Sequence, residues 1–181
     1  MRAAGLRCEV DLPRQGILPH DLIHLWVESR LGLSDGFIGL VAKGADIDYA
    51  GKGLHRHVDP ERQMQAGQAE SVVEALQSQL WSGQFDEAMF HYGPAQACSM
   101  RGVMPPELEG IAPEEDLFIP LTRSGAAWNA MAAGMEWRLA FAGSPECWKN
   151  TANALPLLPA QRHPRDRFAG VRRRHDDSSA P

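Results

Sequence analysis

His20, His24 and Glu28 follow one another at every fourth position, with Asp21 beside the first, in the run Pro19-His-Asp-Leu-Ile-His-Leu-Trp-Val-Glu-Ser-Arg-Leu31. A helix turns about 100° per residue, so these four ionisable side chains share one arc of about 100°. Leu22, Ile23, Leu25, Trp26 and Val27 fill most of the remaining circumference, interrupted by Ser29 and Arg30. A helix this apolar is largely buried. Two imidazoles and two carboxylates turned inward must then be paired or metal-bound, because an unpaired buried charge is strongly destabilising.

Histidines at i and i+4 can chelate one ion from a rigid backbone. Glu28 lies one turn beyond His24, about 6 Å along the axis. That spacing suits a third ligand, a partner orienting His24, or a general base. The expectation is a divalent metal on His20, His24 and Glu28, with Glu28 and Asp21 as the acid–base pair or Asp21 as an orienting acid. Zinc is the first choice for such a set, and iron and manganese also suit it. Two blander readings stand beside it: a buried polar network without metal, and a plain solvated stripe.

The segment His20-Asp21-Leu22-Ile23-His24 resembles the H-E-x-x-H helix of gluzincin peptidases, with Asp21 where those carry glutamate. It also resembles the His-Asp-x-x-His zinc motif of the ubiquinone-biosynthesis family of membrane-associated proteins. That family carries a further glutamate where this chain has Gly36. Taken with Leu31-Gly32-Leu33, Gly36-Phe37-x-Gly39-Leu40, Trp128, Gly134 and the segment Met135 to Phe141, the run is similar to a group of small uncharacterised bacterial proteins. The first two resemblances imply zinc; the third implies a bacterial source and no activity.

The elements that must position these residues can be read from the surrounding pattern. Leu6, Cys8, Val10 and Leu12 alternate as a short strand, broken by Pro13 and Gly16. Pro19 suits the first turn of the histidine helix and Gly32 its left-handed end. Ser34-Asp35 caps a second short helix over Phe37 to Val41, closed by Gly44. Residues 45–58 read as a loop carrying Asp46, Asp48, His55 and His57. Asp59-Pro60-Glu61 then starts a helix to about Trp81, with Ala69, Val72, Val73, Leu76 and Leu80 on one face.

A short helix over Phe85 to Tyr92 follows, holding His91, and residues 93–110 read as irregular. A helix over Leu121 to Ala133 follows Pro120, and Met135 to Ala142 alternates as a strand. The first and last strands are expected to pair. The fold class expected is α+β: a mainly helical single domain over residues 1–160 with a few short strands, and a disordered basic tail over 161–181. His55, His57 and His91 are candidates to complete the site from another element, though each alone reads first as an ordinary surface or core histidine.

Composition narrows the function classes. The 181 residues carry a formal charge of −5. From Arg162 onward, however, there are six arginines against three aspartates, so the body is more acidic than the whole. An acidic body is a poor nucleic-acid surface, and the arginine-rich end, poor in large apolar groups, reads as a solvated tail. Three cysteines, with no C-x-x-C pair, fit a reduced cytoplasmic protein, and no apolar run is long enough for a membrane span. The expected partner is a small molecule or a protein. The functional expectation is a metal-binding, hydrolase-like protein, and its alternative is a non-enzymatic accessory protein in which the His/Glu stripe is structural.

Overall fold

The α1 helix, His20–Leu31, starts where Pro19 directs its carbonyl to the Leu22 and Ile23 N–H groups, at 2.9 and 3.1 Å. It stops at Gly32, whose φ of 68° lets its N–H reach the Glu28 carbonyl. A computed structural model of the protein describes residues 9–12, 14–43, 60–132, 135–138, 141 and 170–173. Among these, helix α2 spans Phe37–Ala42, α3 Pro60–Ser82, α4 Glu87–Arg101 and α5 Ile119–Ala130, the last entered through a π-helical turn over Glu114–Phe118.

The core forms between helices. Leu22, Ile23 and Val27 of α1 meet Val72, Val73, Leu76 and Leu80 of α3, with Phe90 of α4, Leu117 and Phe118 of the π turn, and Leu121 and Trp128 of α5. Ile23, Val27, Leu76, Phe90, Leu121 and Trp128 are completely buried. Each such side chain contributes about 1.5–3 kcal/mol relative to exposure.

Helix α4 runs back along α3 to form a hairpin. Gln79 ties the turn by accepting the Asp86 N–H at 2.9 Å and donating to the Asp86 carbonyl at 3.0 Å. Asp86 caps α4 by accepting the Met89 N–H at 2.9 Å. The expected short helix over Phe85 to Tyr92 and irregular stretch after it are corrected here, because α4 continues through Pro94 to Arg101. Gly93, Pro94 and Ala97 let α4 lie close on α3: a Cβ at Gly93 would meet Ala75 at 3.4 Å, and Pro94 and Ala97 are buried. Tertiary packing thus outweighs the lost proline N–H.

Pro120 leaves its mark one turn earlier. Lacking an N–H, it cannot bond the Asp116 carbonyl, and the preceding turn widens, with the Ile119 N–H reaching Glu114. The Asp116 carboxylate is used instead, by Arg30 at 2.6 Å and the Ala112 N–H at 2.9 Å.

The α+β expectation is overturned: the described fold is mainly helical, and no sheet layer backs the helices. Among the described residues, strand structure is limited to three short strands joined by two ladders. β1 (Glu9–Leu12) pairs in parallel with β3 (Gly170–Arg173), and β2 (Glu136–Arg138) pairs antiparallel with β3. β1 and β2 therefore do not pair with each other, and β3 lies within the span expected to be a disordered tail. Alternation over so few residues marks an extended backbone, while the core is set by the helical apolar faces.

Candidate metal centre

His24 sits at the centre of a network that joins α1 to α2 and α3. The residue is 3% exposed. On one side Nδ1 lies 3.0 Å from Glu28 Oε1, the i+4 contact that the helix dictates. On the other, Nε2 faces His20 Nε2 at 3.2 Å and Glu70 Oε2, from α3, at 3.1 Å. His20 Nε2 lies 3.6 Å from Glu70 Oε1, and its Nδ1 lies 2.9 Å from Gln77 Oε1.

These contacts fix the tautomers. Glu28 carboxylate and Gln77 amide oxygens can only accept, so each histidine donates from Nδ1. Both Nε2 atoms are thereby turned toward one another and toward Glu70, where a neutral imidazole would present its lone pair. His20, His24 and Glu70 each offer a ligand atom, all within 4.8 Å of one another, a group that could hold a metal ion. Around a tetrahedral ion with bonds of about 2.0–2.1 Å, neighbouring ligand atoms stand about 3.3 Å apart. The two Nε2 atoms stand 3.2 Å apart, near that edge, and each faces a different oxygen of Glu70, His24 at 3.1 Å and His20 at 3.6 Å.

Glu28 lies outside that group and is held by other partners. It is completely buried, and besides His24 it accepts the Ile38 N–H at 3.2 Å and the Gly39 N–H at 2.9 Å. Those are donors of the first turn of α2, whose N-cap, Gly36, has no side chain to satisfy them. A Cβ at Gly36 would fall on the Glu28 carboxyl group. Glu28 therefore fills from α1 the space that a side chain at position 36 would need.

Electrostatics follow from this packing. Burial disfavours a charged His24, but hydrogen bonds and charge from Glu28 and Glu70 outweigh it and raise its pKa to about 9. The His20 pKa is raised chiefly by its hydrogen bond to Glu70, against burial. Glu70 is held well below the ordinary carboxylate range by hydrogen bonds from His20 and then His24. In the metal-free protein the cluster is thus a carboxylate bridged to imidazolium, and a metal would have to displace protons.

The site opens on a pocket of about 600 Å³, lined among others by Asp21, Phe37, Gln63, Glu70 and Arg101. Asp21 borders the cavity beside the cluster without belonging to the metal-ligating group. His91 is exposed on α4 and packs on Phe90, away from the pocket lining. His55, His57, Asp46, Asp48, Cys8 and Cys147 lie outside the described residues, and Cys98 is buried.

Glu70 and Gln77 are the residues that sequence reasoning missed. At 100° per residue both stand at the polar edge of the apolar face of α3, beside Gln63 and Glu74, so no local pattern set them apart. Comparison with family models, with curated proteins and with solved structures returns no match. Among the described residues no helix is long and apolar enough to cross a membrane.

Proposed function

We propose that the chain is a divalent-metal protein whose ligands are His20 Nε2, His24 Nε2 and the Glu70 carboxylate, with a hydrolase-like activity in the adjoining pocket. One observation carries the proposal: two Nδ1–H groups tied to fixed acceptors turn both Nε2 atoms toward each other and toward the Glu70 carboxylate, with a ligand atom of each residue within 4.8 Å of the others. The resemblance of His20 and His24 to two zinc motifs points the same way, and zinc is the ion this donor set suits first. When bound, such an ion would polarise a substrate oxygen or supply hydroxide near neutral pH. Glu28 would hold the His24 tautomer, Gln77 that of His20, and Asp21 would accept a proton at the pocket wall.

The test is metal analysis and cobalt titration of purified protein. Wild type is expected to hold one ion per chain, and Glu70→Gln or His24→Ala to lose more affinity than the ~10–100-fold that an outer partner contributes. Wild-type protein that binds no zinc, cobalt or manganese overturns the proposal. The competing reading is a structural network in an accessory protein. It is favoured by the imidazolium of His24, held between two carboxylates and complete without an ion.

A further inference from the structure

Arg101 ends α4 on the wall of the same pocket, and the structure holds it there by contacts that leave the site itself untouched. Its Nη2 donates to Glu74 Oε1 at 2.8 Å, and its Nη1 reaches Ser71 Oγ and the Ala97 carbonyl, both at 3.4 Å. Glu74 lies one helical turn from Glu70, about 6 Å along α3, so the guanidinium is anchored to the next turn of the helix that carries the proposed ligand carboxylate. A guanidinium has more N–H donors than these contacts use, set in a planar fork that matches carboxylate and phosphate oxygens.

We propose that the pocket takes a small molecule bearing a carboxylate or phosphate group, which Arg101 binds while another oxygen of the same molecule reaches the metal. This rests on the metal reading above. An ion on the histidines would offset the charge of Glu70, in a cavity of about 600 Å³ whose lining includes Arg101 and Asp21. That volume suits a small ligand. Phe37, Ala66 and Val103 supply apolar wall for a short carbon skeleton. Gly67 lets Val103 close that wall, since a Cβ there would meet it at 3.1 Å.

The experiment uses the full chain loaded with cobalt, titrated with inorganic phosphate, with malonate and with glycerol as a neutral control, and followed by the visible cobalt spectrum. Phosphate or malonate is expected to shift the spectrum saturably while glycerol does not, and whichever binds tighter identifies the anion class. Arg101→Gln is expected to weaken that binding by at least about tenfold with cobalt affinity unchanged. Glu74→Gln, which loosens the clamp but keeps the guanidinium, is expected to retain it. Equal anion affinity in wild type and Arg101→Gln, or no response to either anion, overturns this inference alone. Failure of wild type to bind cobalt overturns the metal reading, and this inference with it.

Discussion

Glu28 and Glu70 grip the same imidazole from opposite nitrogens, yet their surroundings make them different instruments. Glu28 is completely buried and is shared between His24 and two backbone N–H groups of α2. Glu70 is 30% exposed, opens on the pocket, and has the two histidines as its partners. A carboxylate that satisfies buried backbone cannot leave without stranding donors, whereas one bordered by a cavity can exchange its partners for an ion. Structure is thus expected to depend on Glu28 and ligand chemistry on Glu70.

The largest effect should come from breaking the buried side. Glu28→Ala leaves two backbone N–H groups and the His24 Nδ1–H without an acceptor in the core, an expected loss of about 3–5 kcal/mol in urea unfolding. Gly36→Ala should destabilise by about 1–3 kcal/mol through overpacking, because its methyl needs the space of the Glu28 carboxyl. A Glu28→Ala protein within about 1 kcal/mol of wild type would erase the distinction between the two acids.

The open side should reveal itself through pH. In chelator, His24 has a pKa of about 9 in the fold against 6.5 when unperturbed. Its contribution is therefore complete below pH 6.5 and lost as the pH climbs toward 9. This amounts to about 3 kcal/mol at most. Glu70 acts in the opposite sense, its depressed pKa giving stability above pH 4.5 that is lost on acidification. Metal affinity should instead rise with pH up to about 9, as the ion no longer competes with the His24 proton. Thermal melts between pH 6.5 and 9 should consequently move down in chelator and relatively up with zinc. Parallel curves would show that the ion does not bind through His24.

How much of this was legible depends on sequence distance. His20, His24 and Glu28 could be placed together because helix geometry alone sets neighbours four residues apart. Even so, the spacing could not distinguish a ligand from a cap. The role of Glu28 is decided by α2 folding back so that Ile38 and Gly39 present their N–H groups. Glu70 is brought in by packing of α3 on α1, a contact across 46 residues that no local pattern encodes. The α+β class failed for the converse reason. Weak alternation over residues 5–12 and 135–142 was weighed as strand, and residues 93–110 were read as irregular although packing on α3 carries the helix through Pro94 to Arg101.

The smallest effect expected sharpens the comparison at its other end. Gln77 does for His20 what Glu28 does for His24, accepting from Nδ1 at 2.9 Å, but it is neutral and its histidine is half-exposed. Gln77→Leu removes that acceptor without stranding backbone or burying a charge, so stability should change by less than about 1 kcal/mol. Cobalt affinity should still fall, by about tenfold, at the lower end of what an orienting partner contributes, because the His20 ring can then present either nitrogen. If orientation through Nδ1 is what turns the cluster toward an ion, Gln77→Leu must weaken metal binding while leaving the fold intact. Unchanged affinity would mean that the backbone spacing of α1 alone aims His20, and that Glu28 matters to the centre only as the cap of α2.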